Sequence, residues 1–212
     1  MSEEADLRRQ LVKMGQLLYT RQLAHGTAGN LSAKLEDGTI LVTPTNSSLG
    51  DLDADRIAKV SPEGEHLGGD KPSKEYFFHL AVFAERPAAQ AVVHLHSTYS
   101  VAVSCLHHEQ TEDVIPPYTA YHVMRVGRLP LVPYFRPGDR ALADAVKQAS
   151  REHRSMLLAN HGPIVSGGSL AEAVYAYEEL EETAKLHFIL GDRPTSPLNP
   201  EQIADLNRAF PS

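Results

Sequence analysis

The chain has 212 residues, 42% of them hydrophobic and 22% charged, with a net charge of −7 and one cysteine. That is enough chain to bury a sizeable core, in the composition of an ordinary globular protein. The acidic balance with no long Lys/Arg run argues against a nucleic-acid partner, and no apolar run has the length of a membrane span. Cys105 stands alone, so no intrachain disulfide can form, and the start "MSEEADLRRQ" has no apolar signal region. A reduced, cytoplasmic setting without a membrane anchor is the expectation.

In chain order, residues 4–24 read as an amphipathic helix with Leu7, Leu11, Met14 and Leu18 on one stripe. Gly26 and Gly29 end it. "LSAKL" and "TILVT" read as strands about the turn Asp37-Gly38. Residues 44–72, rich in Pro, Gly, Ser and Asp, read as loops with short strands. "SKEYFFHLAVFAER" is predicted to be a helix with Ser73 as N-cap and Pro87 after its end. "AVVHLH" is a buried strand and "STYSVAVSCL" a returning helix. Residues 107–128 carry no clear pattern. "LPLVPY" is strand-like, and Pro137-Gly138-Asp139 leads into the helix "RALADAVKQAS". "MLLAN" and "PIVSG" flank Asn160-His161-Gly162 as strand ends or a tight hairpin. Ser169 and Glu172 predict a capping box for the long helix "LAEAVYAYEELEETAKLHFIL". The proline-rich tail from Gly191 is expected to pack on a neighbour or fray. No repeat or interdomain linker interrupts this order, which makes residues 1–212 one domain with a tail at 191–212. The order is too irregular for repeated βαβ units.

Three constellations carry chemistry. His94 and His96 lie two apart, so on a strand they share a face and offer two imidazoles to one metal. An HxH pair alone is more often two satisfied histidines. His161, a polar interruption between two apolar runs, is the best third ligand and would complete an open catalytic site. Glu75 sits in the first turn of its helix, where a negative charge is favourable in any case; its functional reading is metal ligand or general acid/base. His79, one turn further on, is core or a support for the site. Finally, "GTAGNLS", "TPTNSS" and "KPSKE" are turns rich in glycine, hydroxyls and helix-start donors, the features that hold a phosphate.

These segments, in order from about residue 5 to 190, resemble the class II aldolase/adducin-like family of zinc sugar-phosphate lyases. The resemblance implies a single three-layer α/β/α domain with a mainly antiparallel sheet, assembled as a homotetramer with sites at subunit interfaces. It implies His94, His96 and His161 as metal ligands, with Glu75 as the acid/base that also touches the metal. Zn2+ is the implied cofactor, with Mn2+ or Co2+ as substitutes. Asn30, Thr45, Asn46, Ser73 and Lys74 map to the phosphate pocket. Asn46 stands where many relatives have glycine, and asparagine tolerates the left-handed conformation. Lys74 stands where aldolases tend to have serine, which adds a positive charge and suggests a more anionic substrate.

The wider pattern "GDKPSKE…VVHLHST…VMRVG…PLVPYFRPGD…LLANHGP" is similar to the branch that decarboxylates 3-oxo-tetronate 4-phosphate, a phosphorylated four-carbon sugar acid. That branch implies loss of CO2 through a metal-stabilised enediolate to give dihydroxyacetone phosphate, with Tyr121 as proton donor and Tyr118 as its rival. A packing role at an interface is about as good a reading of either tyrosine. An aldolase or epimerase acting on fuculose 1-phosphate or ribulose 5-phosphate is the alternative. A noncatalytic head domain of the adducin kind should have lost metal ligands that this chain retains.

Overall fold

The computed structural model describes residues 2–136 and 138–210. Pro137 and the last two residues of the tail lie outside the described residues. The chain begins with α1 (Glu3–Thr20), whose N-cap Ser2 accepts the Ala5 N–H, and which buries Leu11, Gly15 and Leu18. Strands β1 (Asn30–Lys34) and β2 (Ile40–Val42) form a hairpin at the predicted Asp37-Gly38 turn. The loop-rich stretch holds two 3-10 turns, β3 (Ala58–Val60) and β4 (His66–Gly68). Next come α2 (Tyr76–Glu85), β5 (Ala91–His94) and α3 (Thr98–Ser104). The stretch without a pattern yields α4 (Ala120–Arg125), capped by Thr119. Then follow β6 (Leu131–Val132), α5 (Ala141–Ser150), β7 (Ser155–Leu158), β8 (Gly162–Gly167), α6 (Leu170–Leu190) and α7 (Pro200–Ala209).

The strands form one sheet in the order β4-β3-β2-β1-β5-β8-β7-β6. Every pairing is antiparallel except β6 with β7. Alternation along the strands splits the core in two. Leu31, Ala33, Leu41, Ala91, Val93 and Val165 pack with residues of α1, α3 and α6. Ile40, Val42, Val60, Val92, Met156 and Ile164 pack with α2 and α5. Helices therefore cover both faces, and the architecture is the three-layer α/β/α arrangement the resemblance implies.

Three local expectations change. Helix α2 begins at Tyr76, so Glu75 rather than Ser73 occupies the N-cap position, and its side chain makes no capping bond. Ser73, two residues before the N-cap position, does accept the Glu75 N–H on its Oγ at 3.3 Å. At α6, Ser169 caps Glu172 N–H, but Glu172 reaches Gly168 N–H instead of closing the box. The true capping box is in the tail: Asn199 and Gln202 bond reciprocally and start α7, which packs on α4.

Candidate metal centre

His94 ends β5 on the face covered by α2, where its ring meets Phe78. His96 lies just past the strand, but the alternation persists: Leu95 joins the opposite core and His96 returns to the His94 side. His161 comes from the tip of the β7–β8 hairpin, which β8 fixes by pairing with β5. Two glycines allow the close approach. A Cβ on Gly162 would lie 2.6 Å from the Leu95 carbonyl oxygen. One on Gly29, at φ +83°, would lie 3.0 Å from that of His94. Glu75 enters from the start of α2.

The side chains converge. His94 Nε2 is 3.1 Å from His96 Nε2, Glu75 Oε1 is 3.1 Å from His161 Nε2, and Glu75 Oε2 is 3.6 Å from His94 Nε2. One donor atom from each of the four residues lies within 4.8 Å of every other. A tetrahedron of ligands at zinc–nitrogen distances has edges of about 3.3 Å, so the spacing suits one ion. The electron pairs argue the same way. His94 Nδ1–H donates to the Pro163 carbonyl at 2.9 Å, which leaves Nε2 with its lone pair inward. Burial pushes His94 well below the usual imidazole range, so the ring is neutral. Burial likewise lowers His96. Burial would raise Glu75, but His94, His161 and Asn30 outweigh it and hold the carboxyl well below its ordinary range. Imidazole lone pairs and an anionic oxygen facing one point repel each other unless a cation lies between them. The donor set therefore fits a divalent ion, with the three imidazoles and the Glu75 carboxylate as the groups that would hold it.

Behind Glu75 runs a fixed chain of polar groups. Asn30 Nδ2 donates to Glu75 Oε2 at 2.8 Å, and His79 Nε2–H donates to Asn30 Oδ1. His79 Nδ1 then accepts from the Ser32 hydroxyl at 2.7 Å. Burial, against the pull of Glu75, takes His79 down to about 3, which keeps the ring neutral and its tautomer set by these partners. Of its two roles, His79 takes the supporting one. Asn30 is only 2% exposed, and one amide N–H remains for any other ligand.

The anion-donor segments are joined to one another. Pro44 and Pro72 bridge the two loops, Ser73 N–H donates to Thr43 O, and Thr45 N–H donates to Lys71 O. Thr43 Oγ1 accepts from Leu31 N–H, which ties both loops to β1 beside Asn30. Asn46 is left-handed at φ 57°, the conformation the substitution for glycine requires. Lys74 and Asn46 are exposed, whereas Ser73 is buried.

The profile of the class II aldolase and adducin N-terminal domain matches residues 9–188. The chain belongs to the class II aldolase and adducin family. It is similar to the 3-oxo-tetronate 4-phosphate decarboxylase of Pectobacterium atrosepticum, at 52% identity over 98% of this chain and 95% of that one. It is also similar to L-fuculose phosphate aldolase of Escherichia coli O157:H7, at 33% identity over 98% and 95%. Among solved structures it matches YgbL of Escherichia coli with a TM-score of 0.94 and 51% identity, covering 97% of this chain and 99% of that one.

The two tyrosines have partners of their own. Tyr118 shares a hydrogen bond of 3.0 Å with His187 on α6. Tyr121 is 59% exposed on α4, under the Arg125 guanidinium. Sequence reasoning misses Glu181. This residue of α6 is buried and binds the first turn of α3 through Tyr99 N–H, Ser100 N–H and the Ser97 hydroxyl, at 2.8, 2.9 and 2.8 Å. The Ser100 hydroxyl bonds it too. A glutamate within an amphipathic helix gives no local signal of that role.

Proposed function

We propose that this class II aldolase family member is a divalent-metal-dependent carboxy-lyase that converts 3-oxo-tetronate 4-phosphate to dihydroxyacetone phosphate and CO2. The observation that carries this reading is the 52% identity, over 98% of the chain, to a protein named for that reaction. The four converging donors support it, because loss of CO2 from a 3-oxo acid needs an electron sink. Zinc suits three imidazoles and a carboxylate, and a bound ion would supply Lewis acidity at the 3-oxo oxygen.

The chain's own groups do the rest. Asn30 and His79 hold the Glu75 carboxylate toward the site. Glu75, an anion at rest, starts as a base and takes the proton of the substrate's 2-hydroxyl. The C1–C2 bond breaks, CO2 leaves, and its electron pair becomes the C2–C3 double bond of an enediolate. Two protons then complete dihydroxyacetone phosphate: one goes to C2, from Glu75 or from Tyr121, as the 3-oxo group re-forms, and one goes to the 2-oxygen, from the other of these two groups. Thr45, Asn46, Ser73 and Lys74, with the free amide N–H of Asn30, form the phosphate pocket. The assembly is a homotetramer of single-domain chains in the cytoplasm, and a neighbouring copy supplies Tyr121; its exposure supports that role.

The test is a product assay with 3-oxo-tetronate 4-phosphate and metal-loaded enzyme. CO2 and dihydroxyacetone phosphate should appear in equal amounts. Aldehyde release from fuculose 1-phosphate with no CO2 from the tetronate would instead favour an aldolase, the reading that the 33% identity to the fuculose-phosphate enzyme supports.

A further inference from the structure

Two described clefts adjoin each other and exclude every residue of the metal centre. One, of about 630 Å³, is lined by Arg86, Arg128, Arg154 and His153, with Glu152 as its one acid. The other, of about 400 Å³, runs between α4 and α7 and shares Val123, Gly127, Arg128 and Asn207 with the first.

Two features of these clefts are incompletely partnered: the arginines lack a contacting carboxylate, and His122 lacks a hydrogen bond. Arg86 donates to Ser150 O at 3.2 Å and Arg154 donates to Met124 O. Among the described residues no carboxylate oxygen lies within 4.0 Å of either guanidinium or of Arg128. Glu172 acts on Arg154, and Asp113 of the second cleft on Arg128, only from beyond that distance, with Glu172 bonded to Gly168 N–H and Asp113 to Leu129 N–H. Arg86 and Arg154 also repel each other. Half-buried like charges with no carboxylate in contact are an unusual arrangement in a chain of net charge −7. In the second cleft, His122 is 1% exposed, and neither ring nitrogen has a hydrogen-bond partner. Buried polar atoms are satisfied in nearly all native structures, so an orphaned imidazole beside a cavity marks the place of a missing partner. Pro117, Val123, Pro200 and Ile203 supply apolar walls around it.

We propose that this joined cleft is a second ligand site that takes a small phosphomonoester, its phosphate against Arg86, Arg128 and Arg154 and its organic body in the α4–α7 groove against His122. A phosphate offers three acceptor oxygens, which lets it take charge-assisted bonds from more than one guanidinium at once. His122 donates or accepts at a hydroxyl of the body. Since α7 forms one wall, occupancy ties the C-terminal helix to α4.

Isothermal titration of the full-length, metal-loaded protein with glycerol 3-phosphate tests this. The wild type should bind two equivalents per chain, one at the metal centre and one in the cleft. Arg86→Gln/Arg154→Gln should weaken one class of sites roughly tenfold or more, each lost charged bond being worth at least that ratio. Turnover of the tetronate without added ligand should not change. If the double variant does not fold, Arg128→Gln and His122→Phe provide the same readout singly. One equivalent in the wild type, or an isotherm unchanged in folded variants, would overturn the proposal and leave the cleft to water.

Discussion

Replacing Glu181 by glutamine tests whether the buried link between α6 and α3 holds the metal centre in shape. One carboxylate oxygen accepts from Ser97, Ser100 N–H and the Ser100 hydroxyl, and the other accepts from Tyr99 N–H. A glutamine of the same size keeps the first oxygen as its carbonyl. Its NH2 then faces the Tyr99 N–H, donor against donor. An orphaned buried N–H costs about 1–3 kcal/mol, and the remaining bonds lose their charge assistance at roughly 0.5–1 kcal/mol each. The sum is on the order of 3 kcal/mol, or a drop of about 6–12 °C in Tm for a chain of this length. Ser97 follows His96 directly, so slack at the start of α3 reaches a metal ligand and should weaken metal binding as well. Urea unfolding of metal-free protein at one fixed concentration measures the first effect, and metal titration of the folded variant measures the second. A variant within about 0.5 kcal/mol of wild type, the range of an ordinary surface change, and with unaltered metal affinity would refute this reasoning.

Glu75→Gln should keep the fold and most of the metal and lower kcat by roughly 10²–10⁴, with slowed or stereorandom solvent-proton incorporation into the product; normal labelling would move proton delivery to Tyr121. Asn30→Ala, which frees Glu75 from its support, should cost roughly 10–100-fold in metal affinity or activity, read by metal titration and steady-state kinetics. Prolonged chelation should abolish turnover and Zn2+ should restore it; activity that survives complete metal removal would exclude the proposed site. His122, brought by burial from 6.5 to about 4, should make the fold acid-sensitive. As pH falls through 6.5 the unfolded chain takes up a proton that the folded one refuses. Stability is then lost down to about pH 4, by on the order of 3 kcal/mol. His122→Leu should flatten the stability–pH curve in that window, and an unchanged slope would show that the ring is already partnered.

Local pattern in the sequence determines much of this molecule. Helix α1 follows from its apolar stripe, and α6, announced by the Ser169 cap, occupies Leu170–Leu190, the predicted segment. The β1–β2 hairpin follows from Asp37-Gly38, and the β7–β8 hairpin from the apolar runs around Asn160-His161-Gly162. The shared side of His94 and His96 follows from period-two geometry and survives even though the strand ends between them. Tertiary structure decides what comes from separate elements. The distance from His161 to Glu75 depends on β8 pairing with β5 and on glycines that let three backbones touch. The work of Asn30 toward Glu75, and of His79 behind it, depends on α2 lying over β1. In the sequence Glu181 looks like an ordinary helical residue, and His122 lies in a stretch without a clear pattern. Their chemistry is set by neighbours 80 or more residues away for Glu181 and, for His122, by the α7 helix that walls its cleft. Local sequence carries periodicity and turn chemistry. It holds no record of which distant donor will face a buried polar atom, and packing alone settles that.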